Sequence, residues 1–266
     1  MLSLFMEYKR NVSLAPFTTV KIGGPAEFCI EITSYRQFKA VLEELKNKKI
    51  TILGNGSNVL ISDKGLKDYV LINSTNKIKI LKNDQIYAES GTQLAHLIEF
   101  SLKHGLVGLE TFAYIPSTLG GAIAGNIHGP KCLFSSIIKS VEYGKHNNPI
   151  ILSAILQLKK GDVVAAKKIY QEIIAKKSLS QPMNSLGCIF KNIGDQSVGE
   201  IIDKKLKLKG LSIGDAKISE KHANFIENIG QATARDYYSL INLIQDKAKK
   251  ELNLDLELEI KLLGQI

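Results

Sequence analysis

Residues 51–61 read Thr51-Ile52-Leu53-Gly54-Asn55-Gly56-Ser57-Asn58-Val59-Leu60-Ile61, two short apolar runs around a glycine-rich loop. Runs of this length and composition predict two strands. Gly54 and Gly56 permit positive φ angles and remove side-chain bulk, so that backbone N–H groups of the loop can converge on an anion. The stretch is neither a Walker loop, which needs Gly-Lys-Ser/Thr, nor a Rossmann fingerprint, which opens a helix. Alone, an ordinary glycine-rich hairpin explains it equally well.

A second glycine-rich stretch favours a binding loop over an ordinary hairpin. It reads Ala113-Tyr114-Ile115-Pro116-Ser117-Thr118-Leu119-Gly120-Gly121-Ala122, and Asn126 and His128 follow closely. Two such loops, each beside a different predicted sheet, suit an extended diphosphate ligand laid between subdomains. The sequence therefore predicts a large phosphate-bearing cofactor.

The rest of the chain mixes helical and strand patterns, which predicts an α+β fold with a boundary near residue 160. A Ser34-Tyr35-Arg36-Gln37 capping box starts a helix, and Thr92 is expected to cap another. Further helices are predicted at residues 163–177, 198–206 and 233–252. Strands are predicted at residues 19–22, 27–32, 49–53, 59–62, 69–72, 78–81, 85–89, 137–143, 150–158 and 256–263.

Composition and charge narrow the function classes. The chain has 266 residues, 44% of them hydrophobic, and a net charge of +9. Arginine, the favoured residue for bidentate recognition of bases and phosphates, occurs only at Arg10, Arg36 and Arg235. Lysine-rich helix surfaces explain this charge best, and a field that attracts small anionic substrates is the alternative. A nucleic-acid partner is not expected.

No membrane, secretion or metal signal is found. The longest apolar stretch, residues 106–127, is interrupted by Glu110 and Pro116, and the N-terminus turns charged too early for a signal peptide. Three widely spaced cysteines indicate neither a disulfide framework nor a metal site. We expect a cytoplasmic protein without a membrane partner.

Six stretches, in order along the chain, carry a resemblance to the family of UDP-N-acetylenolpyruvoylglucosamine reductases, and together they cover nearly all of it. They are residues 18–26, 53–60, 108–129, 181–192, 218–230 and 256–264. The resemblance implies a two-part FAD-binding domain of the vanillyl-alcohol-oxidase (PCMH) type, with subdomains at residues 1–75 and 76–160. A smaller α+β substrate-binding domain would follow at residues 161–266, and the protein would act as a monomer.

The same resemblance implies a UDP-N-acetylmuramate dehydrogenase. Such an enzyme uses FAD, with NADPH as hydride donor, to reduce UDP-N-acetylglucosamine enolpyruvate to UDP-N-acetylmuramate in peptidoglycan precursor synthesis. The residues that would hold FAD are Leu53, Gly54, Asn55, Gly56, Ser57, Asn58, Ile115, Pro116, Ser117, Thr118, Gly120, Gly121, Asn126 and His128.

Two side chains match the family's catalytic positions. Cys188, in Leu186-Gly187-Cys188-Ile189-Phe190-Lys191-Asn192, stands where relatives carry the serine or cysteine that donates a proton. A free cysteine is otherwise most often buried and inert. Glu259 matches the C-terminal glutamate of the family, although its spacing from Glu257 alone favours a solvated strand edge. Lys191, Asn192, His222 and Asn224 are the implied substrate contacts, with a packed histidine as the alternative for His222.

The sequence departs from the family pattern at two places. Relatives carry a Tyr-Arg-x-Ser segment whose arginine helps to polarise the substrate, and here Tyr143-Gly144-Lys145-His146 runs almost directly into the next strand. Either the segment is deleted or Gly144 stands at the arginine position. The usual Ile-Pro-Gly has also become Ile115-Pro116-Ser117. The alternative function is therefore a weakened or non-catalytic relative that binds flavin or a nucleotide sugar.

Overall fold

A computed structural model describes residues 7–130 and 132–266, and it has the mixed α+β composition expected from the sequence. The helices are α1 (Tyr35–Glu44), α2 (Leu94–Lys103), α3 (Leu119–Gly125), α4 (Val163–Ser180), α5 (Val198–Glu200) and α6 (Ala234–Leu252). The strands are β1 (Lys9–Ser13), β2 (Pro25–Ile32), β3 (Ile50–Leu53), β4 (Val59–Ile61), β5 (Leu66–Asn73), β6 (Ile78–Leu81), β7 (Gln85–Glu89), β8 (Leu106–Val107), β9 (Ile138–Gly144), β10 (Ile150–Gln157), β11 (Lys159–Lys160), β12 (Ser212–Ile213), β13 (Ala216–Ile218), β14 (Ile226–Asn228) and β15 (Lys261–Leu263).

Two compact units alternate along the chain. Unit 1 contains residues 7–9, 28–55 and 68–177, and unit 2 contains residues 10–27, 56–67 and 178–266. This division differs from the boundaries expected at residues 75 and 160. Ala166 of α4 lies in a core of unit 1, which keeps this helix with the preceding strands. Val20 and Leu60 lie in the core of unit 2, although more than a hundred residues separate them from its largest segment, residues 178–266.

Unit 1 is built on an antiparallel sheet of order β6-β7-β10-β9. The hairpin β6–β7 begins and ends at the predicted residues, with Ile78 opposite Ala88. The apolar faces of α2 and α3 pack on this sheet in one core that includes the edge-to-face pair Phe112–Phe134. A second core joins α1 to the parallel pair β3–β5. The second core also contains Ile150 and Leu152 of β10, so it does not stop at the boundary expected near residue 75.

The cap of α1 was read correctly from the sequence, whereas that of α2 is shifted by one residue. Ser34 accepts the backbone N–H of Gln37, as a capping serine does. Helix α2 starts after Gln93, whose side chain makes no cap, and the carbonyl of Thr92 instead accepts the N–H of Leu119 at 2.8 Å. A long-range backbone contact has replaced the predicted local one.

Unit 2 combines the sheet β12-β13-β14, the long helix α6 and the parallel pair β15–β4. Tyr237 of α6 is fully buried, and its hydroxyl donates to the carbonyl of Ile226 at 2.9 Å. Burial is also the main cause of a pKa of this phenol well above its ordinary value. The hydrogen bond satisfies the one polar atom that α6 carries into the apolar core.

Two predicted strands are wrong or shortened. Residues 19–22 form a tight turn, because the Thr18 hydroxyl donates to the carbonyl of Ile22 at 2.9 Å and accepts its N–H at 3.2 Å. Of the strand predicted at residues 256–263, only Lys261–Leu263 belongs to a sheet. The predicted alternation of burial is nevertheless present, since Leu256 and Ile260 are buried and Glu259 is exposed.

Two further features of the described residues bear on the expected absences. No helix among them is both long and apolar enough to span a bilayer. Within the same part of the chain, no group of three or more His, Cys, Asp or Glu side chains is arranged to hold a metal.

Asp63 caps the N-terminus of α6 from a distant part of the sequence. Its Oδ1 accepts the N–H of Ala234 at 2.8 Å and its Oδ2 that of Arg235 at 3.1 Å. We expect Asp63→Ala to lower the free energy of unfolding by about 1–2 kcal/mol, because two helix N–H groups and the helix dipole lose their partner. Urea unfolding measures the change. Asp255→Ala, which removes only a surface ion pair with Lys249, should stay within about 0.5 kcal/mol of the parent protein.

Candidate functional site

The first half of the loop at residues 53–58 lies against the second glycine-rich loop within unit 1. Asn55 Nδ2 donates to the carbonyl of Pro116 at 2.8 Å. A Cβ on Gly54 would lie 2.5 Å from Thr118 Oγ1, which is closer than real Cβ atoms approach. The structure thus brings together the two stretches that the sequence singled out, and it explains why residue 54 is glycine.

The second half of the same loop belongs to unit 2. Gly56 has φ +58°, and a Cβ there would lie 2.2 Å from the carbonyl oxygen of Phe17, so only glycine fits. Asn58 Nδ2 donates to the carbonyl of Glu259 at 3.2 Å, and the Asn58 carbonyl accepts the N–H of Lys261 at 3.0 Å. The end of this loop is therefore tied to the segment that carries a candidate catalytic residue.

The glycines at the start of α3, predicted to hold the cofactor, make contacts within unit 1. The N–H of Gly120 donates to the Ser90 carbonyl at 2.7 Å, and that of Gly121 to Thr118 Oγ1 at 3.2 Å. These amides are engaged inside unit 1. A Cβ on Gly120 would lie 3.0 Å from that of Ser90, so this glycine permits close packing of α3.

Asn126 and His128 follow α3 and are exposed. Asn126 ends the helix in the left-handed conformation at φ 40°, and its Oδ1 accepts the N–H of Ser135 at 3.1 Å. His128 pairs through its backbone with Leu133. These contacts shape the turn after α3, from which the Asn126 and His128 side chains are exposed.

The loop residues fit a diphosphate-bearing cofactor. Glycine at residues 54 and 56 lets Thr118 and the Phe17 carbonyl pack directly against the loop backbone, and these contacts fix the course of the loop. Asn55, Ser57 and Asn58 add small polar side chains, and short loops of glycine and small polar residues are the arrangement that anion-binding sites use.

Substitution of Gly54 by alanine tests this loop. We expect Gly54→Ala to cost about 1–3 kcal/mol of overpacking against Thr118, and the displaced loop should bind FAD roughly tenfold more weakly or worse. Titration of the apoprotein with FAD, followed by flavin fluorescence, measures the affinity. In the double variant Gly54→Ala/Thr118→Ala the clash is removed, so its affinity should exceed that of Gly54→Ala alone. Equal affinity in both variants would contradict the steric explanation.

Cys188 lies in unit 2, between a glycine with open space at its Cβ position and a buried isoleucine. Gly187 has φ +80°, and nothing lies within 4 Å of the place where its Cβ would be. Ile189 and Phe190 on the other side are fully buried. Cys188 itself is half-buried, which leaves the thiol at the border between core and solvent.

Glu259 is placed beside this segment by backbone pairing. Its N–H donates to the carbonyl of Ile189 at 2.8 Å, and the N–H of Lys191 donates to the carbonyl of Glu257 at 2.9 Å. Phe190 and Leu258 form the bridge between these two bonds. The structure therefore brings the two candidate catalytic positions, far apart in sequence, onto adjoining backbone segments.

The four implied substrate contacts differ in their surroundings. Lys191 is exposed and forms an ion pair with Glu257. Asn192 Oδ1 accepts the N–H of Val198 at 3.1 Å, which caps the start of α5. His222 Nδ1 accepts the N–H of Asn224 at 3.3 Å, and the imidazole packs on the Phe225 ring at 4.8 Å between centroids.

Asn224 is the least exposed of the four, at 2%. Its Oδ1 accepts the N–H of Phe190 at 3.0 Å, and its Nδ2 donates to the carbonyl of the same residue at 2.8 Å. Both the oxygen and the nitrogen of the Asn224 side-chain amide are therefore hydrogen-bonded to the backbone close to Cys188. These contacts follow no periodic pattern, and they could therefore not be predicted from the sequence.

The residues at which the Tyr-Arg-x-Ser segment is expected form the β-hairpin β9–β10 of unit 1. Gly144 is the last residue of β9 and pairs with Ile150 of β10. A Cβ on Gly144 would lie 2.5 Å from Leu42 Cδ1, which is buried in the core below. A longer side chain would enter that core, which favours deletion of the segment over replacement of the arginine by glycine. His146, two residues further along, contacts the Leu45 carbonyl through Nε2 at 3.1 Å.

Comparison with known proteins gives matches over the whole chain. The model of the UDP-N-acetylenolpyruvoylglucosamine reductase C-terminal domain matches residues 179–263, and that of an FAD binding domain matches residues 26–147. A UDP-N-acetylenolpyruvoylglucosamine reductase of Clostridium novyi (strain NT) is 32% identical over 97% of this chain and 93% of its own length. The protein of that name from Carboxydothermus hydrogenoformans is 35% identical over 96% and 93%. The crystal structure of the Thermus caldophilus reductase (MurB) superposes with a TM-score of 0.84 at 29% identity, over 98% of this chain and all of that one.

Proposed function

This chain belongs to the UDP-N-acetylenolpyruvoylglucosamine reductase family, and we propose that it reduces UDP-N-acetylglucosamine enolpyruvate to UDP-N-acetylmuramate for peptidoglycan precursor synthesis. It is an FAD-dependent oxidoreductase with NADPH as reductant. Its relatives match it over almost their full length, so the family assignment covers both units.

The observation that carries the proposed chemistry is the pairing of the Cys188 segment with the Glu259 segment. FAD, when bound, supplies the hydride that it has taken from NADPH to one carbon of the enolpyruvyl double bond. The second carbon then needs a proton, and we assign its delivery to the Cys188 thiol. An unperturbed thiol has a pKa of about 8.5, so that it is mostly protonated at neutral pH yet gives up its proton readily.

Glu259 is the second catalytic group in this proposal. The backbone of Glu259 is hydrogen-bonded to Ile189, and Ile189 directly follows Cys188 in the chain. A carboxyl group there can hold or exchange a proton with the developing enolate-like substrate. The pair thus supplies the one proton that, together with the hydride, completes the addition of two hydrogen atoms.

Three side chains around this segment are proposed to bind the anionic substrate. Lys191 offers an exposed positive charge, and Asn192 has its amide nitrogen as a donor, because Val198 already uses the oxygen. In a neutral His222 the proton sits on Nε2, since Nδ1 accepts a backbone N–H. Each therefore offers a donor to a carboxylate or phosphate oxygen.

One assay tests the function. The protein is purified, its flavin spectrum is recorded, and NADPH oxidation is followed with and without UDP-N-acetylglucosamine enolpyruvate. Oxidation that depends on this substrate is the expected result. Colourless protein that cannot take up FAD would contradict the cofactor as well as the activity.

The second candidate function is flavin or nucleotide-sugar binding with weak turnover or none. It is favoured by one observation, the lack of any arginine between Arg36 and Arg235, which removes a bidentate partner for the substrate. Bound flavin without substrate-dependent NADPH oxidation in the same assay would support it. We also propose that the protein acts as a monomer in the cytoplasm, where NADPH and UDP-sugars occur.

A further inference from the structure

We propose that Asn224 is a positioning residue for proton transfer, which holds the Cys188 thiol in register with Glu259 through a two-point clamp on Phe190. The proposal rests on the proposed function, since it concerns the proton donor of that reaction. It replaces direct substrate contact as the role of Asn224.

The clamp uses both ends of the side-chain amide. Oδ1 accepts the Phe190 N–H at 3.0 Å and Nδ2 donates to the Phe190 carbonyl at 2.8 Å. Among uncharged side chains of this size, only an amide offers an acceptor and a donor side by side. With 2% of the residue exposed, water cannot replace either bond.

The backbone of Asn224 extends the clamp to Glu259. The carbonyl of Asn224 accepts the Ile189 N–H at 2.8 Å, and the carbonyl of Ile189 accepts the Glu259 N–H at 2.8 Å. Ile189 is therefore held between the two, and it directly follows Cys188. One network of hydrogen bonds thereby fixes the backbone beside the thiol and the backbone of the glutamate.

On its other side Cys188 follows Gly187, which has φ +80° and open space at its Cβ position, and the buried Leu186 precedes that glycine. The 189–190 side, where Asn224 acts, is the side on which the backbone next to the thiol is held by hydrogen bonds to both Asn224 and Glu259. A displacement of about 1 Å at a reacting group can lower a rate by about a hundredfold.

The experiment separates the two half-reactions of the holoenzyme by stopped-flow spectroscopy. In Asn224→Ala we expect NADPH to reduce the flavin within about twofold of the parent rate, while reoxidation by the enolpyruvyl substrate slows by about tenfold to a hundredfold. Asn228→Ala is the matched control. Asn228 is also buried, and its amide also clamps backbone, at Val20, Gly230 and Ala232, but it does not contact the Cys188 segment. Equal slowing of reoxidation in both variants, or none in Asn224→Ala, would overturn the proposal.

A pH readout distinguishes positioning from general destabilisation. In Asn224→Asp the carboxylate keeps the acceptor for the Phe190 N–H but sets a second oxygen against the Phe190 carbonyl. Protonation restores the donor, and burial raises the pKa of such a carboxyl group. Reoxidation relative to the parent should therefore recover as pH falls, at constant flavin content and melting temperature. A ratio that does not depend on pH would contradict the clamp.

A third measurement does not depend on turnover. The alkylation rate of Cys188 by iodoacetamide is followed by mass spectrometry, with Cys132, also half-buried but in unit 1, as internal reference. Asn224→Ala should change the Cys188 rate several-fold relative to Cys132, whereas Asn228→Ala should not. If the parent protein fails to turn over while this change occurs, the proposed function is wrong and the clamp stands. An unchanged ratio in an active enzyme refutes the clamp alone.

Discussion

Replacing Cys188 with alanine is expected to abolish formation of the UDP-N-acetylmuramate product while NADPH still reduces the bound flavin. The thiol is assigned only to the proton that the substrate takes up, so the first half-reaction does not need it. Loss of a positioned acid typically costs about 10²–10⁴-fold in rate. Single-turnover mixing of pre-reduced holoenzyme with substrate measures this step directly.

Two controls make the result specific. Cys188→Ser keeps a hydroxyl that can donate a proton, and it should recover most of the lost activity, in line with the serine that relatives of this family carry. Cys132→Ala removes a half-buried cysteine of unit 1 and should leave both half-reactions unchanged. Full turnover in Cys188→Ala would refute the assignment of the proton donor.

Glu259→Gln is expected to have an effect of similar size, about 10²–10⁴-fold on substrate reduction. The substitution keeps the shape of the side chain and the backbone bond from Glu259 N–H to the Ile189 carbonyl, but it removes the ionisable group. Flavin content and the unfolding temperature should therefore stay close to those of the parent. Steady-state kcat with saturating substrate and NADPH is the measurement.

Glu257→Gln provides the matched control two residues away. Glu257 is exposed and pairs with Lys191, and surface pairs of this kind contribute about 0–1 kcal/mol. We expect a change of about threefold or less, mainly in KM, because Lys191 loses its neighbour. A large loss in Glu257→Gln with little in Glu259→Gln would exchange the roles of the two carboxyl groups.

Much of the fold could be predicted from the sequence because many turns and helix caps are determined by residues that are close together in the chain. The hairpin at Ile78–Leu81 and Gln85–Glu89 and the capping of α6 by Thr233 follow from turn and cap chemistry within a few residues. Long-range contacts account for the failures. The helix predicted at residues 198–206 is one α turn followed by a π-helical segment at Ile201–Lys205, and no local propensity indicates such a widening.

The site shows the same limit. Glycine at residue 54 was recognised as meaningful, but its reason, the hydroxyl of Thr118, lies in the other loop. Gly120 is predicted to belong to an anion-binding loop, and its close packing on Ser90 is a second reason for glycine that the sequence does not reveal. The resemblance supplied Cys188 and Glu259 as separate motifs. Only the three-dimensional pairing through Ile189 shows that their backbones are coupled.

The pairing of β15 with β4 has a consequence for how the chain matures. Unit 2 is assembled from three separate segments, and its parallel pair joins Leu263 to Ile61 across some two hundred residues. Contacts of such sequence separation form late and slowly, because the closure of long loops must precede them. On the ribosome, residues 59–61 wait for their partner strand until some two hundred further residues have been synthesised. The backbone arrangement next to Glu259, which lies two residues before that partner strand, is therefore among the features that form late.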